Sequence, residues 1–291
     1  MIFTTRFAPS PTGPLHLGHA YSALLAHDMA RARNGCFLLR IEDIDRARSK
    51  PHWEQQIYDD LAWLGIGWDA PPLRQSDRQD TYQAALDTLW GRGLLYPCSC
   101  TRRDITEAAS APQEGSLPPV GPDGLIYPGT CRTRPRPARR PGDAALRLDL
   151  TAALRDATLA GASLLSFQET GSGPQGRTGD ISFEAGALRH SVGDVVLARR
   201  DMGTSYHLSV VLDDADQRIN HVVRGADLFE ATQIHVLLQR LLALPTPCYH
   251  HHRLIRDDTG KRLAKRDDAR ALAKYRADGL GPRDIRAMVG L

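Results

Sequence analysis

The first 45 residues restrict the fold more than any other part of the chain. A short run of residues typical of a β-strand, 2–8, ends in a turn rich in Pro and Gly over 9–14. Apolar side chains then recur at spacings of three and four from Leu17 to Met29, which is typical of an amphipathic helix. A largely apolar run, 36–41, follows the helix and is typical of a buried strand. Strand, tight turn, helix and strand in this order predict the βαβ unit of a parallel sheet, and therefore an α/β fold.

The rest of the chain continues this mixed pattern. Helical periodicity of the apolar residues alternates with short runs that are rich in β-branched residues and typical of strands. The predicted helices lie at about 51–64, 78–93 and 230–243, the predicted strands at 194–199, 206–212 and 221–224, and one or two short helices follow residue 268.

Composition changes in the middle of the chain. From about 97 to 145 it is dominated by Pro, Gly, Ala and Arg, with few large apolar residues. Such a segment builds little core of its own, so we expect an inserted subdomain. The expected organisation is the first half of a Rossmann-like domain at 1–96, an insertion at 97–190, the second half at 191–245, and a basic loop with a short helical tail at 246–291.

Composition also restricts the class of protein. The hydrophobic fraction of 42% and the charged fraction of 24% are ordinary for a globular protein. No apolar run approaches the roughly 20 residues of a membrane span, and no export leader precedes the first strand, so a cytoplasmic protein is expected. The net charge of +3 permits nucleic-acid binding without requiring it. An odd number of cysteines, five, argues against a disulfide framework.

The segment His16-Leu17-Gly18-His19 lies where the first helix is predicted to begin. A helix N-terminus attracts phosphate through its unpaired N–H groups and its dipole, and Gly18 permits close approach to the backbone. Imidazoles at this point can donate hydrogen bonds to a phosphoryl group as its charge develops. The alternative is that both His are incidental surface residues, although their position after a strand and a turn favours a nucleotide site.

A second candidate for phosphate binding is the basic loop from Gly260 to Arg266, which contains Lys265. A mobile, glycine-led loop of this kind is suited to closing on a triphosphate. The alternative is a solvated charged run, because two Asp residues lie on each side of the loop.

Together these two motifs resemble the HIGH and KMSKS signatures of class I aminoacyl-tRNA synthetases. The segment 6–19 resembles the N-terminal signature of bacterial glutamyl-tRNA synthetases, 39–45 resembles the next block, and Tyr206 with Asp213-Asp214 and 221–225 resembles the third. The resemblance covers essentially the whole chain and implies a class I synthetase, Rossmann-like parallel sheet of the HUP type. The basic loop departs from the pattern, since Arg262 and Ala264 stand where the family usually has Lys and Ser.

The resemblance implies a site for glutamate and ATP. Glutamate carries two carboxylates and one ammonium, so we expect cationic forks at Arg6 and Arg224 and an anion at Glu42, although either Arg could instead form a structural ion pair. The residues placed at the amino acid are Arg6, Phe7, Ala8, Pro9, Ser10, Glu42, Tyr206 and Arg224. Those placed at ATP, which binds with Mg²⁺, are His16, Gly18, His19 and Lys265, and of these His16, His19 and Lys265 are the predicted catalytic residues.

Three cysteines suggest a metal site in the insertion. Cys98, Cys100 and Cys131 surround a segment without a core, which one structural Zn²⁺ could stabilise. Zinc prefers four ligands, and the resemblance points to Tyr127 as the fourth; Asp104, Glu107 or water are the alternatives, as are free thiols without metal. Five Arg residues between 132 and 140 are either a tRNA backbone contact or a solvated loop.

The chain ends soon after the basic loop. A catalytic domain with these Cys and Tyr motifs and no anticodon-binding domain resembles the glutamyl-queuosine tRNA(Asp) synthetases. This resemblance implies ATP-dependent activation of L-glutamate and its transfer to the queuosine base of tRNA(Asp), with the insertion binding the acceptor and the enzyme acting as a monomer. The alternatives are an enzyme that charges a tRNA 3′ end and a catalytically silent RNA-binding paralogue. The internal run His250-His251-His252 is interpreted as neither a tag nor a ligand set, although it could line the ATP side of the site.

Overall fold

The computed structural model describes residues 1–110, 119–159, 163–256 and 270–291. Its helices are α1 (Leu17–Arg31), α2 (Pro51–Trp63), α3 (Gln79–Gly91), α4 (Arg102–Ser110), α5 (Leu150–Ala153), α6 (Leu188–Ser191), α7 (Tyr206–Asp216), α8 (Thr232–Leu241), α9 (Leu272–Ala277) and α10 (Pro282–Val289). Its strands are β1 (Thr4–Phe7), β2 (Cys36–Ile41), β3 (Leu73–Arg74), β4 (Leu95–Cys98), β5 (Val120–Gly121), β6 (Gly124–Leu125), β7 (Ala145–Leu148), β8 (Leu164–Glu169), β9 (Gly179–Glu184), β10 (Val196–Ala198), β11 (His221–Gly225) and β12 (Cys248–His252).

Two sets of parallel strands form the centre of the fold. In the first, β2 lies between β1 and β3, and in the second, β12 lies between β11 and β8, with β9 antiparallel at the outer edge. Strands β1 and β11 meet side by side: the Asn220 backbone N–H donates to the Thr4 carbonyl at 3.1 Å, and the Asn220 side chain accepts from the Thr4 N–H at 2.8 Å. The predicted parallel α/β architecture is therefore confirmed, with its crevice between β1 and β11.

Helix α1 covers the first set of strands. The apolar residues of its predicted pattern are buried, among them Leu17, Tyr21 and Leu24. The tail helix α10 packs against α1, and Arg286 reinforces this contact with hydrogen bonds of 2.6 and 2.9 Å to the two carboxylate oxygens of Asp28. The predicted helical tail is confirmed, whereas the basic loop with Lys265 lies outside the described residues.

One predicted element is wrong. The run 206–212 is not a strand but the beginning of helix α7. Nearly the whole helix is buried, so it lacks the polar face that makes helical periodicity visible in a sequence. Its beginning does carry a local signal, because the Ser205 side chain caps the helix and accepts from the Leu208 N–H at 3.4 Å.

The insertion contains a separate antiparallel sheet. Strand β7 lies between β4 and β10. Strands β5 and β6, which precede β7 in the chain, form a separate hairpin. Strands β8 and β9, residues 164–184, instead extend the parallel sheet through β12. The change of sheet therefore does not coincide with the expected boundary at 190, because the pairing of Glu169 with Tyr249 joins residues too distant for any local pattern to indicate.

Within the described part of the chain, no helix combines the length and the apolar character needed to cross a membrane.

Candidate active site

The principal cleft opens between β1 and β11, at the carboxyl ends of the parallel strands. Its volume is about 560 Å³. Open parallel sheets bind ligands at this point, where the chain connections leave in opposite directions. The predicted amino-acid and ATP residues that the structure describes all line it: Arg6, Phe7, Ala8, Pro9, Ser10, His16, Gly18, His19, Glu42, Tyr206 and Arg224.

The two histidines of the first motif form the cap of helix α1. The Gly18 N–H donates to Nδ1 of His16 at 3.1 Å, and the His16 N–H donates to Nδ1 of His19 at 3.1 Å. Because Nδ1 accepts in both rings, the proton of each neutral imidazole lies on Nε2, and each ring is oriented as an N–H donor. A Cβ added to Gly18 would lie 3.0 Å from Cε1 of His16, so a side chain at this position would displace the ring.

A buried network of four charges lies on the β1 side of the cleft. The Asp214 carboxylate, on α7, accepts from Nε of Arg6 at 2.8 Å and from Nη1 of Arg40 at 2.7 Å. Nη2 of Arg40 donates to Oε1 of Glu42 at 3.2 Å. Two guanidinium groups thus face two carboxylates, so this side of the cleft is close to electrically neutral.

The environment of the network shifts its carboxyl groups in opposite directions. Burial alone would raise the pKa of Asp214, but the charges of Arg6 and Arg40 outweigh it and lower the pKa. Burial raises the pKa of Glu42, and Arg40 and Arg6 offset this only in part. Burial also raises the pKa of the Tyr206 hydroxyl, which remains a hydrogen-bond donor at neutral pH. Asp214 is therefore stabilised in its ionised form by the protein itself. The ionised form of Glu42 would be stabilised further by a cationic ligand.

Arg224, on β11, has different neighbours. Its guanidinium donates from Nε to Nε2 of His251 at 3.1 Å and from Nη2 to Oγ1 of Thr232 at 2.7 Å. Nη1 lies 3.1 Å from Nδ1 of His235, and Nη2 donates to the Leu228 carbonyl at 3.2 Å. Across the described ranges, none of these hydrogen-bond partners is a carboxylate.

The histidines beside Arg224 are neutral. Burial, together with the charge of Arg224, lowers the pKa of His235 well below its ordinary value. Burial also lowers the pKa of His251, although the Glu169 carboxylate acts against this. The positive charge of Arg224 is thus not cancelled by its immediate partners. Next to Arg224, the cleft therefore favours an anionic group on a ligand, such as a carboxylate.

Sequence reasoning missed several residues that shape this cleft. Asp214 and Arg40 both lie in segments that resemble the family signatures, but neither was assigned a role. His235 and His251 carried no local signal, because they reach Arg224 from α8 and β12. His252, by contrast, belongs to a run for which lining of the ATP side was an open alternative; it does line the cleft, and its Nε2 lies 2.7 Å from the Ser22 hydroxyl.

The cysteines of the insertion come together as predicted. The Sγ atoms of Cys98, Cys100 and Cys131 lie within 4.8 Å of one another. The Tyr127 hydroxyl lies 3.5 Å from Sγ of Cys98 and 3.3 Å from Sγ of Cys100. A tetrahedral zinc with Zn–S bonds of about 2.3 Å and a Zn–O bond of about 2.1 Å would place its ligand atoms about 3.6–3.8 Å apart. The four side chains therefore fit a single tetrahedral ion.

The alternative fourth ligands are engaged elsewhere. The Asp104 carboxylate accepts from the Thr101 N–H at 2.7 Å, and Glu107 pairs with Arg103 at 2.6 Å on the exposed helix α4. Burial raises the pKa of Cys131, but hydrogen bonds, first that of the Tyr127 hydroxyl, outweigh it and lower the pKa to about 6. A thiolate at this position is the form that binds a metal.

The arginine-rich stretch after Cys131 is largely used by the fold. Arg132 pairs with Asp194 at 2.7 Å, and Arg140 pairs with Asp87 at 2.6 Å. The Arg136 guanidinium lies over the Trp90 ring, 4.0 Å from its centroid. These three side chains therefore support the insertion, which weakens the interpretation of the whole run as a tRNA contact.

The chain matches a known protein family. The sequence profile of a family described as tRNA synthetases class I (E and Q), catalytic domain, matches residues 3–118 and 176–291. The chain belongs to this family. The unmatched part, between residues 118 and 176, contains Tyr127 and Cys131 and most of the insertion.

Two relatives of this class I synthetase match nearly the whole of its chain. A protein of Rhodobacter capsulatus named Glutamyl-Q tRNA(Asp) synthetase is 64% identical over 289 residues, which cover 99% of each chain. A protein of the same name from Symbiobacterium thermophilum is 43% identical, covering 96% of this chain and 83% of its own.

Solved structures support the same fold. A glutamate tRNA ligase from Elizabethkingia meningosepticum, in complex with its amino acid, is 26% identical with a TM-score of 0.74. The match covers 100% of this chain and 61% of that ligase. A methionyl-tRNA synthetase of Mycobacterium tuberculosis, 13% identical with a TM-score of 0.63, is alike in fold alone.

Proposed function

We propose that the protein activates L-glutamate with ATP and transfers it to the queuosine base of tRNA(Asp). One observation carries the proposal: a cleft next to the His16-to-His19 cap combines a paired Arg6, a partly compensated Glu42 and an Arg224 whose hydrogen-bond partners are neutral. The names of the near full-length relatives support the acceptor.

Glutamate recognition follows from charge and donor count. Arg6 uses Nε and Nη2 toward Asp214, which leaves Nη1 for one carboxylate of the substrate. Arg224 supplies the uncompensated positive charge for the other carboxylate, and Glu42 accepts from the ammonium. An uncharged analogue such as glutamine would leave the charge of Arg224 desolvated without a partner, so glutamate is preferred.

The first chemical step forms the adenylate. A carboxylate oxygen of glutamate attacks the α-phosphorus of Mg-ATP, a new O–P bond forms, and the bond to the bridging oxygen breaks to release pyrophosphate. His16 and His19 stabilise the charge on the phosphate through Nε2–H, and the N-terminus of α1 contributes its dipole. Lys265, outside the described residues, is assigned to the pyrophosphate on the basis of the motif alone.

The second step forms the ester. A hydroxyl oxygen of the cyclopentene ring attacks the carbonyl carbon of the mixed anhydride, and the bond from that carbon to the AMP oxygen breaks. The AMP phosphate accepts the hydroxyl proton, so no further side chain is required as a base. Positioning is the main contribution of the protein in this step.

The insertion is assigned a structural zinc. Cys98, Cys100, Tyr127 and Cys131 would hold the ion, and its role is to cross-link a segment with a small core of its own. We further propose that the enzyme works in the cytoplasm as a monomer, which light scattering during size-exclusion chromatography tests.

Glutamate-dependent exchange of pyrophosphate into ATP, without tRNA, tests the first step. We expect exchange with glutamate and none with glutamine or aspartate. Absence of exchange in the presence of Mg²⁺ would instead favour a catalytically silent RNA-binding paralogue.

The acceptor is tested with tRNA(Asp) isolated with and without queuosine. We expect glutamate to be esterified only to the queuosine-containing tRNA, with the label retained in a fragment that holds the anticodon loop. The likeness to glutamate tRNA ligases gives the competing proposal, transfer to a tRNA 3′ end. Efficient charging of unmodified tRNA(Glu) would replace our assignment by that one.

A further inference from the structure

The hydrogen bonds of Arg224 leave little capacity for a ligand. A guanidinium carries five N–H groups. Among contacts between described residues, His251 and His235 take one each and Thr232 and the Leu228 carbonyl take the two of Nη2. One N–H of Nη1 therefore remains for the substrate. Its direction depends on His235, which accepts the other N–H of the same nitrogen.

His235 begins a chain of hydrogen bonds that leads away from the cleft. Because its Nδ1 accepts from Arg224, its proton lies on Nε2, which is 3.1 Å from Nδ1 of His207. His207 must then carry its own proton on Nε2, which lies 3.4 Å from Oδ1 of Asp123. Every tautomer in this series follows from the one before it, and the direction of donation is from Arg224 to Asp123.

The chain joins the cleft to the insertion. His235 and His207 are buried, on α8 and α7, whereas the Asp123 side chain is 43% exposed in the turn between β5 and β6. Tyr127, of the metal cluster, follows that hairpin by two residues. Burial alone would raise the pKa of Asp123, but the contact with His207, followed by the charges of Arg199 and Arg147, outweighs it and lowers the pKa.

Neutral imidazoles are suited to this position because they orient Arg224 without cancelling its charge. A carboxylate in direct contact would form an ion pair and compete with the substrate for the guanidinium. The structure instead keeps two carboxylates at a distance: Asp123 lies two imidazoles away, and Glu169 contacts the far nitrogen of His251 at 2.5 Å.

We propose that His235 and His207 are positioning residues that direct the remaining N–H of Arg224 into the cleft and connect it to Asp123. The docking of the β5–β6 hairpin thereby sets the affinity for glutamate. This inference depends on the proposed function, since it assumes that Arg224 binds a substrate carboxylate.

Two measurements on the full chain test it: glutamate binding by calorimetry, and glutamate-dependent pyrophosphate exchange with separate KM values for glutamate and ATP. His235→Gln removes the acceptor at the Nδ1 position, and we expect KM for glutamate to rise about tenfold, or about 1.4 kcal/mol. His235→Asn retains an acceptor there but breaks the link to His207, so a rise of about threefold is expected. KM for ATP and kcat stay within about twofold.

Asp123→Asn tests the far end of the chain at a partly exposed position, so its result stands even if the His235 variants do not fold. We expect a rise of about two- to threefold in Kd and KM for glutamate. Asp143→Asn, the same change at an exposed site in the same insertion, is the matched control and should have no effect.

The possible failures are distinct. An unchanged glutamate Kd in folded Asp123→Asn and His235→Gln overturns the positioning chain, as does a parallel loss of kcat and ATP affinity. Glutamate binding by the wild type without exchange overturns the proposed activity while Kd still tests the chain. A wild type that does not bind glutamate overturns both.

Discussion

The two sides of the cleft treat their arginines differently. On the β1 side, Arg6 is paired with the buried carboxylate of Asp214, which also holds Arg40. On the β11 side, Arg224 is held by neutral imidazoles, a hydroxyl and a carbonyl. Arg6 is thus part of the folded structure as much as of the cleft, whereas Arg224, with neutral partners, is proposed to bind a ligand. The difference separates the stability of this synthetase from its substrate recognition.

The largest expected effect breaks the β1 side. Asp214→Ala leaves the guanidinium groups of Arg6 and Arg40 buried without their shared partner, and we expect unfolding free energy to fall by about 3–5 kcal/mol. Urea denaturation followed by circular dichroism measures it. Asp216→Ala, at an exposed carboxylate of the same helix, should cost less than about 1 kcal/mol. Equal losses in the two variants would remove the distinction.

The second prediction concerns the β11 side. Arg224→Gln should lower kcat/KM for glutamate at least about a hundredfold, equivalent to about 2.7 kcal/mol, while leaving stability nearly unchanged. Stability should change little because the partners of Arg224 are neutral and because Gln still offers them hydrogen-bonding groups. Exchange kinetics and a thermal melt on the same preparation measure both quantities. A large fall in melting temperature would show that Arg224 is as structural as Arg6.

The third prediction concerns the cysteine cluster, which lies outside the cleft. Cys131→Ser should weaken binding of the proposed zinc and lower unfolding free energy by about 2 kcal/mol, because one ligand of the cross-link is lost. Since the hairpin with Asp123 adjoins this cluster, KM for glutamate should rise by about twofold, whereas the Arg6 network is unaffected. Elemental analysis and exchange kinetics test this, with Cys36→Ser as the matched control. A Cys131→Ser protein with full zinc content contradicts it.

The smallest effect is a dependence of stability on pH. The pKa values of His235 and His251 are lowered, mainly by burial, so below about pH 6.5 the unfolded chain binds protons that the folded chain does not. Stability should therefore fall as pH decreases from 6.5, by up to about 1.4 kcal/mol per pH unit for each such group. The lowered pKa of Asp214 acts only below its ordinary value of 3.8, and the raised pKa of Glu42 acts in the opposite direction.

The His235→Asn variant isolates this contribution from those of the other buried histidines. The difference in unfolding free energy between wild type and variant should diminish as pH falls from 7 to 5. A difference that is constant over this range would mean that His235 titrates normally in the folded protein.

Much of the site could be predicted because its residues occur in short, ordered segments. The cap from His16 to His19 follows a strand and a turn, and these local signals locate a helix N-terminus without knowledge of the rest of the chain. The Cys98-Ser99-Cys100 segment and Cys131 likewise come together as expected, although the fourth ligand depended on the resemblance. Local chemistry was sufficient in these places.

Other parts required the folded chain. Helix α7 was predicted as a strand because it is buried on nearly every side. The pairing of β8 and β9 with the parallel sheet also gave no sign in the sequence. Both features depend on burial and pairing between segments far apart, for which a sequence window contains no signal.

By itself, the sequence determined the α/β class, the position of the helix end at His16 and many of the residues that line the cleft. Only the tertiary structure decided how those residues are charged and held. Asp214 reaches Arg6 across 208 positions, and His251 reaches Arg224 from the neighbouring strand. Whether an arginine is neutralised or left for a ligand depends on which groups the fold brings within about 3 Å of it, because electrostatic and hydrogen-bond energies are decided at that distance.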